Sequence, residues 1–194
     1  MEKPQKKKKI NVGKATYEIY EWSESIVISL VVVILIFTFI FRIVGVDGDS
    51  MLPTLHHQDR VILSSFFYEP APRDIVVITQ PNSVHKPIIK RIIATEYQTV
   101  DIDFETGVVY VDGVELLETY ISEPIDPAHR GDMEFPLTLG EGEVFVLGDN
   151  RNNSLDSRYS GIGIIKEEYI LGKAVFRLFP ISGFGFLGWE ESEG

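Results

Sequence analysis

The chain of 194 residues contains no cysteine. Disulfides and thiolate metal sites are therefore excluded, and redox chemistry does not decide its compartment. Basic residues are scarce beyond the first two dozen positions. The formal net charge is -11, yet residues 1–24 hold six lysines (Lys3, Lys6, Lys7, Lys8, Lys9 and Lys14) against four glutamates, so the remainder is more acidic still. Phosphate backbones require clustered Lys and Arg, so this acidic body excludes nucleic acid as a partner. Long amphipathic helices are missing after residue 45. Internal repeats are missing too, and the lysine run is the one low-complexity tract.

One long apolar run is present. No charge falls between Glu24 and Arg42, and Ile26 to Phe41 is apolar but for a serine and a threonine. Sixteen residues rise roughly 24 Å; counting on through Ile43 and Val44, with Arg42 snorkelling, gives about 29 Å against a ~30 Å hydrocarbon core. A buried core helix would need a polar face, and the run has none. A cleaved signal peptide would need a small-x-small site, whereas Val44-Gly45-Val46-Asp47 follows. The expectation is a retained single-pass anchor over residues 25–45. The lysines then keep the tail, 1–24, in the cytoplasm, and residues 46–194 lie outside. Tyr17, Tyr20 and Trp22 suit the inner headgroup belt.

Beyond the anchor the pattern is β. Arg60–Leu63, Asp74–Ile78, Ile88–Ile93, Val108–Val111, Val144–Leu147 and Ala174–Phe176 are short β-rich runs separated by turn residues. Asp112-Gly113 between Val111 and Val114 is a two-residue hairpin signal. Lys166 to Leu171 has room for one or two helical turns. The fold class is mainly β: an N-terminal transmembrane helix followed by an antiparallel β domain. Residues 95–141 carry twelve acidic side chains and few basic ones. They read as a small hairpin-rich insertion or lid on the main sheet, with a solvated loop region as the alternative.

The chemistry centres on Gly48-Asp49-Ser50-Met51-Leu52-Pro53-Thr54-Leu55. A serine on this turn-prone backbone becomes a nucleophile only if a nearby base removes its proton. His56 and His57 are too close in sequence to align for that transfer, and His85 precedes Lys86-Pro87 in a loop. His129, in Asp126-Pro127-Ala128-His129, has the Asp-x-x-His spelling of Gly-Asp-Ser-Leu hydrolases. Those proteins resemble flavodoxin-like α/β folds, whose alternating helices are absent here. Their Asp-x-x-His also comes last, whereas Gly148-Asp149-Asn150 follows His129.

Lys90 is the better base. Within the strand Ile88-Ile89-Lys90-Arg91-Ile92-Ile93 it shares a face with Ile88 and Ile92, while Arg91 shares the other with Ile89 and Ile93. An apolar face disfavours the ammonium, and burial lowers a lysine pKa by up to ~3–5 units. A neutral lysine within reach of a serine hydroxyl is a competent general base. Arg91 cannot release its proton; its expected place is an edge strand, with its stem packed and its head in water. Lys86 and Lys173, beside Pro87 and Gly172, are weaker candidates. The polar run Gly148 to Gly161 fits either a solvated loop with surface ion pairs or a fixed network that positions another group.

Taken in order, these blocks resemble bacterial type I signal peptidases, the membrane-anchored serine–lysine proteases. They are a basic N-terminus, one anchor, Gly48-Asp49-Ser50-Met51-x-Pro53-Thr54-Leu55, Arg73-Asp74-Ile75-Val76-Val77, Ile89-Lys90-Arg91, Gly148-Asp149-Asn150-Arg151-x-Asn153-Ser154-x-Asp156-Ser157-Arg158 and Gly172 to Pro180. The resemblance spans nearly the whole chain. It implies an antiparallel β catalytic domain with Ser50 as nucleophile and Lys90 as base. Ser154 would hydrogen-bond the lysine amine, and an Asp156–Arg158 ion pair would brace it. The Ser50 N–H would be one oxyanion donor. Val46, Met51, Leu55, Val61, Val77 and Ile89 would line shallow pockets for the small side chains of an Ala-x-Ala site. The implied partners are signal peptides of exported preproteins and the lipid bilayer of a bacterial plasma membrane, with no metal or organic cofactor. The aromatics Phe184, Phe186 and Trp189, with Leu187, would pack in the core or touch the outer leaflet.

Three positions depart from the pattern. Gly48 stands where some members carry a serine that gives a second oxyanion donor. Ala94-Thr95-Glu96-Tyr97 replaces a Gly-Pro-Gly-Asp turn, and Arg73 replaces a glycine. The short insertion resembles members from Gram-positive bacteria. Two other classes share some of these features: a non-catalytic, membrane-tethered β binding domain, and a self-cleaving serine–lysine protease.

Overall fold

The computed structural model describes residues 12–39, 41–65 and 67–187, and the chain divides into two units, 1–40 and 41–194. In the first, Val12–Phe39 form a single helix, α1. Its side chains from Glu21 to Leu35 are exposed. Among the described residues no helix is long and apolar enough to cross a membrane. The side chains of residues 36–41, which complete the apolar run, lie outside them, as do the basic run Lys6–Lys9 and Trp189.

The expected end of the anchor at residue 45 is corrected. Phe41–Gly45 form a strand, β1, paired antiparallel with β2 (Arg60–Ser64), Val44 lying opposite Val61. Backbone groups committed to that ladder cannot continue a helix. The apolar run therefore serves two elements, and no change in hydropathy marks the junction.

The second unit is built on antiparallel strands. With β1 and β2 in place, the remaining strands are β3 (Ile75–Ile78), β4 (Ile88–Ala94), β5 (Thr99–Asp103), β6 (Val108–Val111), β7 (Val114–Glu115), β8 (Leu137–Thr138), β9 (Glu143–Leu147), β10 (Ile165–Lys166), β11 (Ile170–Phe179) and β12 (Gly185–Phe186). The larger sheet has the order β1-β2-β11-β3-β4-β9-β10, with β12 on β11. The ten-residue strand β11 lies between β2 and β3 and pairs with both, with register breaks along each ladder. Glu167–Tyr169 make one 3-10 turn between β10 and β11, less helix than the sequence allows.

The acidic insertion is rich in antiparallel hairpins and is not a solvated loop. Its strands form a second sheet, β7-β6-β5-β8. Val100, Ile102, Val109 and Leu139 from that region pack in one core with Ile93, Ala94, Phe145 and Leu147 of the larger sheet. The β6–β7 turn falls at Asp112-Gly113 as expected, with φ of 51° and 77°. Most of the acidic residues occupy turns and outward positions, with the Glu118 side chain the buried exception, while the buried residues Val100, Ile102 and Val109 of β5 and β6 are aliphatic.

This second sheet changes the status of β4. It is a central strand between β3 and β9, and six of its seven residues are buried. The expectation of an edge strand with Arg91 in water is corrected: Arg91 is 4% exposed. Both faces of the strand are covered, so its two cations must find partners inside the protein.

Candidate active site

Lys90 sits where β4 pairs with β3, opposite Val76, and shares its face with Ile88 and Ile92. Val76 and Ile92 are fully buried, and Lys90 is 3% exposed. Its Nζ lies 2.6 Å from Ser50 Oγ. Burial lowers the lysine pKa from 10.5 to about 8; Asp156 and Asp149 pull it upward, and Arg158 pushes it further down. Desolvation outweighs the two carboxylates, so a substantial neutral fraction exists at mildly alkaline pH. A neutral amine at this separation can accept the Ser50 proton as readily as it can donate one.

Ser50 lies in a turn fastened to the polar loop after β9. The Asn150 amide donates to the Ser50 carbonyl at 3.0 Å, and Asn150 Nδ2 donates to the Asp49 carbonyl at 3.1 Å. Thr54 Oγ1 donates to Asp149 Oδ2 at 2.5 Å. Gly148 is required by close approach. A Cβ there would meet the Ser50 carbonyl oxygen at 2.5 Å and Ser154 Cβ at 2.6 Å. Gly48 is required by conformation: its φ is +102°, with open space around a Cβ. Its N–H donates to His57 Nδ1 at 3.2 Å, in an exposed setting.

The polar loop is a fixed network, which settles the alternative left open by its composition. Asp156 is fully buried and takes bonds from Arg158 Nε at 2.8 Å, Arg158 Nη2 at 3.0 Å and the Gly148 amide at 3.0 Å. Burial alone would raise the Asp156 pKa. The hydrogen bonds and charge of Arg158, with the Gly148 amide, outweigh it and hold the carboxyl below its ordinary value. Arg158 also donates to the carbonyls of Arg151 at 2.6 Å and His129 at 2.9 Å. The Ser154 hydroxyl oxygen is buried and makes no hydrogen bond of normal geometry, although it lies near enough to Asp156 to help lower its pKa. No Ser154–Lys90 bond is formed; the Lys90 amine meets Ser50 instead.

Sequence reasoning missed a second buried pair. Arg91 Nε and Nη2 donate to the two Asp149 oxygens at 2.7 and 2.6 Å, and Nη1 donates to the Arg73 carbonyl at 2.9 Å. The strand pattern signalled a cation there, but its partner lies in a distant loop. Arg73 itself has φ +73°, a left-handed conformation that favours glycine, which accounts for the residue type expected at that position. The altered turn after β4 closes locally, with the Thr95 amide donating to Gln98 Oε1 at 2.9 Å.

Val46, Met51, Leu55, Val61, Val77 and Ile89 fall in one apolar cluster, with Leu63, Ile75 and Ala174. Met51, Leu55, Val61 and Val77 are at most 1% exposed, whereas Ile89 is half-buried. The first four are packed inside this cluster, whereas Ile89 reaches the surface. Asp126 caps the 3-10 turn Pro127–His129 by accepting from the Ala128 amide. Among the described residues no hydrogen bond joins His129 to Ser50. Phe184 and Phe186 are exposed and stack edge-on against Phe176.

Residues 19–179 match the family described as signal peptidase, peptidase S26. The probable signal peptidase I-1 of Synechocystis sp. is 38% identical over 176 residues, 84% of each chain. Signal peptidase I of Bacillus amyloliquefaciens is 34% identical, covering 92% of this chain and 94% of that protein. Signal peptidase I T of Bacillus subtilis is 35% identical, covering 87% and 90%.

Proposed function

The chain belongs to the signal peptidases of peptidase family S26, and from that membership we propose that it is the serine endopeptidase that removes signal peptides from exported preproteins, with Ser50 as nucleophile and Lys90 as general base. The observation that carries the residue roles is the 2.6 Å separation of Ser50 Oγ from a buried Lys90 amine.

The reaction runs in two steps. Neutral Lys90 takes the Ser50 proton as Oγ attacks the scissile carbonyl, and the resulting ammonium protonates the leaving amine of the mature protein. Water then enters and gives a proton to Lys90 as it attacks the acyl carbonyl; the Lys90 ammonium returns that proton to the departing Ser50 Oγ, and the signal peptide leaves with a free C-terminal carboxyl group. The Ser50 amide donates to no backbone carbonyl among the described residues, which supports its use as a donor to the developing oxyanion. Asp156 and Arg158 hold the loop that supports the pair, and Ser154 lies beside it. Val46, Met51, Leu55, Val61, Val77 and Ile89 bound the shallow site for small side chains before the cut.

We further propose that the uncharged run from residue 25 to residue 40 is a single-pass anchor, with the lysine-rich tail in the cytoplasm and the catalytic unit outside the plasma membrane. Its support is the uncharged sequence itself and the basic residues before it. An enzyme and a signal peptide held in one bilayer meet at raised effective concentration, without new contacts. The test is cleavage of a purified preprotein by the full chain in detergent or vesicles. Lys90→Ala is expected to abolish it while the protein remains folded. Near-normal turnover in that variant contradicts the assignment.

A further inference from the structure

Two side chains of the acidic insertion, Glu118 and Tyr120, reach the loop behind the active site, and neither takes part in the proton-transfer steps. Arg151, which begins a 3-10 turn at Arg151–Asn153, has a side chain with no exposed surface, and both its terminal nitrogens donate to the Glu118 carboxylate. Its Nε donates to the Gly148 carbonyl at 3.0 Å. Its own carbonyl accepts from the arginine that holds Asp156. The Tyr120 hydroxyl donates to the same Glu118 carboxylate at 2.8 Å, and its ring lies under Arg91, with Cζ 3.9 Å from the centroid.

A three-residue segment thus grips two arginines that act on neighbouring residues. Arg151 holds Gly148 and Arg91 holds Asp149, and these two fasten the nucleophile turn through its closest backbone approach and through Thr54. Arg91 also follows Lys90 directly in β4. A carboxylate placed anywhere nearby would neutralise Arg151. A ring stacked on the second arginine and bonded to that same carboxylate ties the two together and fixes their spacing.

Resting on the assignment of Ser50 and Lys90 as the reacting pair, we propose that Glu118 and Tyr120 are positioning residues for that reaction: they hold Arg151 and Arg91, and through them the geometry of Ser50 relative to Lys90. Misplacement of reacting groups by about 1 Å can cost on the order of a hundredfold in rate, so the effect falls on turnover more than on substrate binding.

The experiment compares Tyr120→Phe, Tyr120→Leu and Glu118→Gln with the wild type and with Lys90→Ala. Full-length protein in detergent cleaves a preprotein at varied concentration, and folding is followed by near-UV circular dichroism at the assay temperature. Tyr120→Leu should lower kcat by about tenfold or more, with KM within about twofold and the folded fraction unchanged. Tyr120→Phe keeps the ring on Arg91 and loses only the bond to Glu118, so its loss should be clearly smaller than that of Tyr120→Leu. Glu118→Gln should resemble Tyr120→Leu; should it fail to fold because Arg151 is left buried and unpaired, the leucine and phenylalanine variants decide. Wild-type kcat in Tyr120→Leu overturns the proposal. So does a loss confined to KM, one that tracks the unfolded fraction, or one equally large in Tyr120→Phe. Activity surviving in Lys90→Ala overturns the underlying assignment instead.

Discussion

The carbonyl of Ser50 accepts a 3.0 Å hydrogen bond from the amide of Asn150 and lies 2.5 Å from where a Cβ on Gly148 would stand. The serine turn and the loop after β9 therefore touch through backbone atoms, with no side chain to act as a spacer. Loop and turn are thus joined at Ser50, the proposed nucleophile, and Lys90 approaches it from the central strand. This contact makes the loop sensitive to very small additions.

Gly148→Ala adds one methyl group at that contact and should lower kcat/KM by about tenfold or more, because Ser50 must shift to admit it. Single-turnover cleavage measures this directly. Activity within twofold of the wild type would mean that the turn is free to move.

Asp156→Asn leaves the buried Arg158 guanidinium without a counter-charge. Breaking a buried pair from one side costs about 3–5 kcal/mol, so denaturant unfolding should show a large loss of stability with only partial loss of turnover. Ser50→Ala should show the converse, no turnover and stability within about 1 kcal/mol. Equal loss of turnover in the two variants, with the fold intact, would give Asp156 a direct chemical role.

Lys90 carries a cost to the fold at neutral pH. Its folded pKa of about 8 lies below the ordinary 10.5. Below about pH 8 both folded and unfolded states hold the proton, and the folded state bears the burial cost in full. Between about pH 8 and 10.5 the unfolded state keeps a proton that the folded state has released, so stability rises with pH across that window. The shift corresponds to on the order of 3 kcal/mol. Lys90→Met should therefore unfold at higher denaturant than the wild type near pH 6, and the advantage should shrink by pH 10. An unchanged advantage at both pH values would show that the lysine is not desolvated as described.

The sequence makes Ser50 and Lys90 legible because both signals are local. A serine in a stiff turn and a lysine flanked by aliphatics at strand spacing need no partner to be noticed. Arg91 has the same local pattern, yet its burial depends on Asp149 and on the second sheet covering the other face, which periodicity cannot reveal. Within the insertion the hairpin at Asp112-Gly113 is legible, whereas β5 is obscured by its acidic residues, although Thr99-Val100-Asp101-Ile102-Asp103 alternates as a strand should. β1 was hidden for the opposite reason: its apolar residues continue the run of α1, and pairing with β2 divides them. The Glu118–Arg151 pair joins two stretches that each look like solvated loop. Of the buried charge pairs, Asp156–Arg158 joins residues two apart, whereas Arg91–Asp149 and Arg151–Glu118 join stretches distant in sequence.

The most direct measurement is the pH dependence of kcat/KM for preprotein cleavage by the wild-type enzyme. A neutral Lys90 acting as base predicts a rate that climbs tenfold per pH unit and levels off near pH 8. A rate that has already levelled off above about pH 6.5, as a histidine base would give, contradicts the account.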